Sequence, residues 1–330
     1  TGNYHEFAFG LPQDEQGNVY VSLNVGFWNP EWWHGRSQAP WRGWVLRIAP
    51  DGTITPVASG LRSPCGLGID SEGRLLATDN QGDWMAACPI VHVHDGGFYG
   101  HPASLQWTDS YDSNESPSTT IPPSMEPDPP AIWIPYRWSR STGNLTYDSS
   151  GGQFGPFQEQ LFVTEMTNGV VLRALMEKVR GEYQGAVVPF RSELGSACRI
   201  AFGPDGSLML GYTNRGWGGR APADGLARLR WTGKTPLDFH EIHLAQDGFN
   251  ITLTEPLAKG VTIDPSTVDA LQYDYNYWWE YGSPPQHLVP FKAQAVQISE
   301  DRKSLRLTFA ALTAATCLDV KLPDHLVTED

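Results

Sequence analysis

The chain has few cysteines, few basic residues and no long apolar run, and each shortage removes a class of function. Its four cysteines, Cys65, Cys88, Cys198 and Cys317, show neither C-x-x-C nor C-x-x-C-H spacing. That excludes a zinc ribbon or a covalently attached haem within this chain, and four are too few for a disulfide scaffold. They read as buried thiols, with a single disulfide as the alternative. Lys and Arg number 23 against 37 Asp and Glu, for a formal charge of −14. A phosphate backbone needs a basic stripe, and none is present, so nucleic acid is not a partner. No apolar run approaches a membrane span. No secretory leader is visible and the chain opens on Thr1, which reads as a mature or trimmed product. Helical periodicity is absent too, except faintly over residues 171–179.

What the chain does have is glycine, proline and aromatics: 34 Gly, 26 Pro, 13 Trp, 12 Tyr and 13 Phe among 330 residues. This favours an all-β fold. One plan recurs four times: a short strand, a tight turn, a second strand and a polar tip. The clearest copy runs from Cys65 through Gly73 to Asp79 and Trp84. The others start at His5, near Gly143–Asn144 and at Cys198, at intervals of roughly 55 to 80 residues, a spacing that marks propeller blades. Residues 1–231 are therefore expected to form about four blades of a β-propeller. Residues 225–230 give the last blade only a third strand, and the chain opens on an inner strand, so either this is a four-bladed ring or N-terminal blades lie outside the chain. The second is the expectation. Residues 232–330 alternate at strand period over 237–244, 249–254, 293–298 and 304–309, which predicts a small β-sandwich of immunoglobulin or fibronectin type. Residues 103–130 read as an irregular Pro-rich excursion. The aromatic segment 273–284 reads as a docking surface against the propeller, or as a sugar-stacking platform.

Inner-strand starts of different blades face a common channel. His5, Glu6 and Arg199 fall at such starts, and a base, a carboxylate and an anion clamp there make a catalytic set. The plainer reading is a structural Glu6–Arg199 ion pair. The second-strand ends form another ring: Asn24, Asp79-Asn80, Glu165 and Asn214-Arg215. Repetition says first that these are structural turns, side-chain oxygens satisfying backbone amides. Asp79, Asp83 and Glu165 also offer hard oxygens for calcium. Trp28, Trp84 and Trp217 at the tips, with His34 in the long aromatic loop after Asn24, are candidate carbohydrate contacts. His92, His94 and His101 make a weak metal set lacking a carboxylate.

Two stretches carry a family resemblance: Ser63-Pro-Cys-Gly-Leu-Gly-Ile-Asp70 running on to Thr78-Asp-Asn-Gln-Gly-Asp-Trp84, and Gly96-Gly-Phe-Tyr-Gly-His-Pro102. Together they resemble the glucose/sorbosone dehydrogenase superfamily. Asn3-Tyr-His-Glu-Phe-Ala-Phe-Gly-Leu-Pro12, Trp32-Trp-His-Gly-Arg36 and Tyr277-Trp-Trp-Glu-Tyr-Gly-Ser-Pro284 look most like the large bacterial "membrane-bound dehydrogenase" propellers, which are L-sorbosone dehydrogenase-like. The resemblance spans essentially the whole chain. It implies an exported protein, periplasmic or secreted, with six or seven blades in full and an appended sandwich. It further implies a sugar oxidoreductase holding pyrroloquinoline quinone and Ca2+ at the channel mouth. His5 would be the base, Arg199 or Arg215 the carboxylate clamps, and Asn144, Asn214 and Arg140 further cofactor contacts. The departure is lysine: Lys178 is the single one before residue 232, so arginine would have to replace the family's lysine contact. Two alternatives stay open: a lyase or hydrolase on acidic glycans assisted by a channel-mouth divalent metal, and a non-catalytic carbohydrate- or protein-binding propeller.

Overall fold

The computed structural model describes residues 6–26, 39–109, 126–213, 220–222 and 224–328. It is β throughout, apart from two short 3-10 turns. The first sheet is β1 (Ala8–Gln13), β2 (Val19–Leu23), β3 (Val45–Ile48) and β4 (Ile54–Ala58). The second is β5 (Gly66–Ile69), β6 (Leu75–Thr78), β7 (Cys88–His92) and β8 (Ile132–Ile134), and the third is β9 (Thr142–Tyr147), β10 (Leu161–Glu165), β11 (Val170–Val179) and β12 (Glu182–Arg191). The fourth has three strands, β13 (Ala197–Phe202), β14 (Leu208–Tyr212) and β15 (Leu226–Leu229). Each sheet is an antiparallel meander in chain order. β1 neighbours β5, β5 neighbours β9 and β9 neighbours β13, so the four innermost strands line one axis. This is the blade arrangement of a β-propeller. Among the described residues β13 does not pack on β1 in the same way.

The turns explain the repeat. In both 14–17 and 70–73 the glycine amide donates to the Asp carbonyl at 3.0 Å. The Asp side chain takes the amides two and four residues on, in Gln16 and Asn18 and again in Glu72 and Arg74. The turn closes on a glycine with positive φ, +83° at Gly17 and +77° at Gly73, which costs a residue without Cβ little.

Alternation along the strands then builds three cores. Leu75 and Ala77 join Val45, Val57 and Leu67 between the first and second sheets. Leu76 points the other way and joins Ile90, Ile134, Leu145, Leu161 and Val163 between the second and third. Phe162, between Leu161 and Val163, joins Phe154, Phe157, Ile200 and Leu208 between the third and fourth. Strands in the middle of the stack are therefore apolar on both faces, each full side-chain burial contributing about 2 kcal/mol. Near the axis the spacing is tighter still. A Cβ on Gly66 would lie 2.6 Å from the Gly143 carbonyl oxygen, and one on Gly143 would lie 2.9 Å from the Cys198 Cα. Glycine lets β5, β9 and β13 converge.

Two expectations change. Residues 171–179 are not helical: β11 and β12, ten residues each, form a hairpin through Arg180 and Gly181, both at positive φ as a tight hairpin turn requires. Part of the Pro-rich excursion is ordered, since Pro102–Trp107 forms a 3-10 turn capped by His101, with Ala103, Ser104 and Leu105 buried.

Beyond β15 the chain forms two further antiparallel sheets. One orders β16 (Phe239–Ala245), β17 (Gly248–Leu253), β21 (Ser304–Thr308) and β20 (Ala295–Ile298); the other orders β19 (Gln286–Lys292), β18 (Asp269–Asp274) and β22 (Cys317–Lys321). They share a core around Ile251, Leu253, Val268, Leu305 and Leu307. This module is fixed to the propeller by polar anchors. Arg173, fully buried, donates to Gln160 Oε1 at 2.5 Å and to the Phe239 carbonyl at 2.9 Å and pairs with Asp238 at 2.8 Å. Arg137 grips Asp319 with both terminal nitrogens, at 2.6 and 3.0 Å. Trp133 packs edge-on against Tyr275 and at a tilt against Tyr277. The docking reading of segment 273–284 is what forms.

Candidate functional site

Where the inner strands converge, a cavity of about 610 Å³ opens at the mouth of the axis. All four blades line it, through Phe7 and Phe9, Cys65, Ser141, and Cys198 with Arg199; the C-terminal module adds Tyr281. Among the described residues the lining includes three arginines, Arg62, Arg140 and Arg199, and no carboxylate. Arg62 is neutralised by Asp83, which leaves Arg140 and Arg199 as the cations able to meet an anion there.

Arg199 stands where the register of the repeats predicts. Its Nη1 donates to the carbonyls of Cys198 (2.8 Å) and Cys65 (3.2 Å), and the guanidinium lies 4.7 Å from the Phe9 ring centroid. The side chain thus ties the fourth blade to the second and first, with only Nη1 engaged in these bonds. Arg140 is exposed, its guanidinium over Tyr136 at 5.0 Å. Arg62 is buried, its Nε 2.7 Å from Asp83 Oδ1, and His101 Nε2 lies 2.9 Å from Asp83 Oδ2. His101 Nδ1 accepts the Ala103 amide, so in the neutral ring the proton sits on Nε2 and is donated to Asp83. Burial works against the Arg62 charge, but Asp83 outweighs it and holds Arg62 above its ordinary value. Burial likewise opposes ionisation of Asp83, and Arg62 and His101 overcome it, driving the carboxyl well below the usual range.

The nominated residues divide. Glu6 is buried but does not line the cavity; its charge acts on Arg42, whose own burial lowers its pKa. The Glu6–Arg199 pair is replaced by two carbonyls on Arg199. Asn144 does not line the cavity and accepts the Leu67 amide at 3.2 Å, joining two inner strands. Trp84 is only 7% exposed and donates its amide to the Trp278 carbonyl, so it is a buried joint and not a sugar-stacking surface. His5, Trp28, His34, Asn214, Arg215 and Trp217 lie outside the described residues.

The calcium set does not assemble. Asp79 accepts the amides of Arg62, Ser63 and Asn80 at 2.7, 2.7 and 2.6 Å. Glu165 does the same for Arg140 and Ser141, at 3.0 and 2.9 Å, and for Asn168. Each carboxylate at a second-strand end fastens the loop that enters its own blade, and Asp83 is spent on Arg62. No cluster of three His, Cys, Asp or Glu able to hold a metal occurs among the described residues. His92 and His94 stack near Tyr183 and Tyr99, apart from His101. All four cysteines are free thiols. Burial raises Cys65, with Arg199 opposing, and burial raises Cys198.

Asp79 makes a pH prediction. Burial outweighs its three amide donors and pushes it up to about 6 from 3.8. Its contribution to stability is then fully present below 3.8 and is lost as pH rises through about 6. Asp83 has the opposite sign but stays ionised throughout that window. Urea unfolding from about pH 4 to about pH 7 is expected to show the wild type losing its advantage over Asp79→Asn by on the order of 2–3 kcal/mol. A gap that ignores pH would mean the amides keep Asp79 ionised.

No family model and no curated protein matches the chain. Solved structures do. It is 21% identical to a glucose dehydrogenase, a putative oxidoreductase of Thermus thermophilus, covering 66% of this chain and 63% of that one at a TM-score of 0.45. The soluble aldose sugar dehydrogenase of Escherichia coli is 18% identical, covering 62% and 60% at 0.43. The PQQ-bound aldose sugar dehydrogenase of Streptomyces coelicolor is 17% identical, covering 66% and 59% at 0.43. The chain spans about three fifths of their length.

Proposed function

We propose that this chain carries the substrate pocket of a sugar oxidoreductase, and that the pocket takes an anionic ligand between Arg199 and Arg140. The observation that carries the reading is the cavity on the propeller axis, lined among the described residues by Arg199 and Arg140 and by no carboxylate. A charge-assisted bond to carboxylate is what an arginine with uncommitted donors is suited to make. The donor set fits a flat, carboxylate-bearing quinone of the kind in the name of the Streptomyces structure, with Phe9 as an aromatic wall. When bound, such a quinone accepts two electrons from the sugar. This chain's own part is to hold the anion at Arg199 and Arg140, to pack the ring, and to take the hydroxyl proton at His5. The donor set does not fit calcium, because Asp79, Asp83 and Glu165 are consumed within their blades. Export, and further blades outside this chain, belong to the same proposal.

The test is dye reduction by the purified chain with and without added quinone, over neutral and acidic sugars. Quinone-dependent reduction that His5→Ala abolishes, with ligand binding retained, is the expected result. Cleavage of an acidic glycan without dye reduction would replace this reading by the lyase or hydrolase one. Binding without turnover of any kind would leave a carbohydrate-binding module.

A further inference from the structure

Segment 273–284 does more than dock. Its far end runs back along the tip of the second blade. Trp84 donates its amide to the Trp278 carbonyl, Gly282 donates to Gly82 and Ser283 to Ala86, all at 2.9 Å, and Asp83 bridges with Tyr281. Trp278 Nε1 closes the loop on the Gly282 carbonyl at 2.6 Å. Two glycines make this possible. A Cβ on Gly82 would stand 2.0 Å from the Arg62 guanidinium, and Gly282 has φ of +71°. The backbone around Tyr281 is therefore pinned on both sides, whereas its side chain is not covered: the residue is 58% exposed. The Arg62 guanidinium lies 5.2 Å from its ring centroid, and both residues line the cavity.

Tyr281 is the most open aromatic among the described residues, and a ring left that open on a rigid loop is a preorganised contact surface. The Arg62 guanidinium over one face fixes the ring, which leaves the remainder of this cavity-lining side chain for the ligand. We infer that Tyr281 is a sugar-packing residue supplied by the C-terminal module: the wall against which the ring of a pyranose packs. The inference rests on the sugar-pocket reading above and adds that neither module binds sugar alone. The polar groups of the sugar are then left to the arginine side of the pocket. Packing of C–H groups on a tyrosine face does not depend on the sugar's charge, and this separates it from a role in holding Arg62.

Calorimetric titration with D-glucose and with D-glucuronate tests it, on the whole chain and on Tyr281→Ala, Tyr281→Phe and Trp279→Ala. Trp279 is 49% exposed on the same loop but does not line the cavity. Tyr281→Ala is expected to weaken both sugars by tenfold or more and to the same degree; Tyr281→Phe stays within threefold and Trp279→Ala within twofold. Loss for glucuronate alone would show that Tyr281 merely positions Arg62, and would overturn the inference. So would unchanged affinity in Tyr281→Ala while Arg199→Gln loses glucuronate, an outcome that leaves the pocket reading standing. If the wild type binds neither sugar, the pocket reading itself falls and takes this one with it.

Discussion

Asp83→Ala loses about 3–5 kcal/mol of folding stability, the cost of leaving one partner of a buried ion pair unmatched. Arg62 and Asp83 have side chains only 5% and 8% exposed, so water cannot step in to solvate the guanidinium. The same substitution removes the acceptor of His101 Nε2, whose ring caps the turn at Pro102–Trp107. Urea denaturation at neutral pH is the measurement. The double variant Arg62→Met/Asp83→Ala should recover most of the loss, because the penalty belongs to the stranded charge and not to missing volume. A single variant within about 1 kcal/mol of wild type would mean that Arg62 reaches solvent or another carboxylate.

Arg199→Gln is expected to weaken a carboxylate-bearing ligand by about 30-fold, on the order of 2 kcal/mol for one charge-assisted bond. A neutral sugar should lose far less, and adding salt should hurt the wild type more than the variant. Titration of quinone and of glucuronate at two ionic strengths reads this directly. Equal losses for charged and neutral ligands would point instead to collapse of the Cys65–Cys198 junction, where Arg199 also serves as a strut. An unfolding midpoint on the same sample separates the two.

Much of this was legible in the sequence, and the boundary is instructive. The Asp-x-x-Gly turns announce the hairpins because their hydrogen bonds close within five residues. Once the hairpins are aligned, register alone brings Cys65, Cys198 and Arg199 to one axis, which the structure does through Arg199 and the Cys65 carbonyl. Asp79 and Glu165 mislead for a related reason. In sequence they are repeated acids at glycine-rich tips, as a metal site would be, but backbone amides of their own blades consume them; the regularity that suggests ligands reports a fastening. Glu6 could not be placed because its neighbour Arg42 lies across a long loop. Tyr281 is the contact farthest from view: some 200 residues separate it from Asp83, and only its crowd of aromatic neighbours hinted at a role.

The crowding of Gly66 and Gly143 against neighbouring backbones has a practical consequence for anyone retailoring ligand preference. The bottom of the funnel admits no bulk at those two positions, so mutant libraries aimed there will return unfolded protein. Variation has to be written along the lip, at positions such as Arg140 and Tyr281, where side chains meet solvent and the scaffold beneath does not register the change.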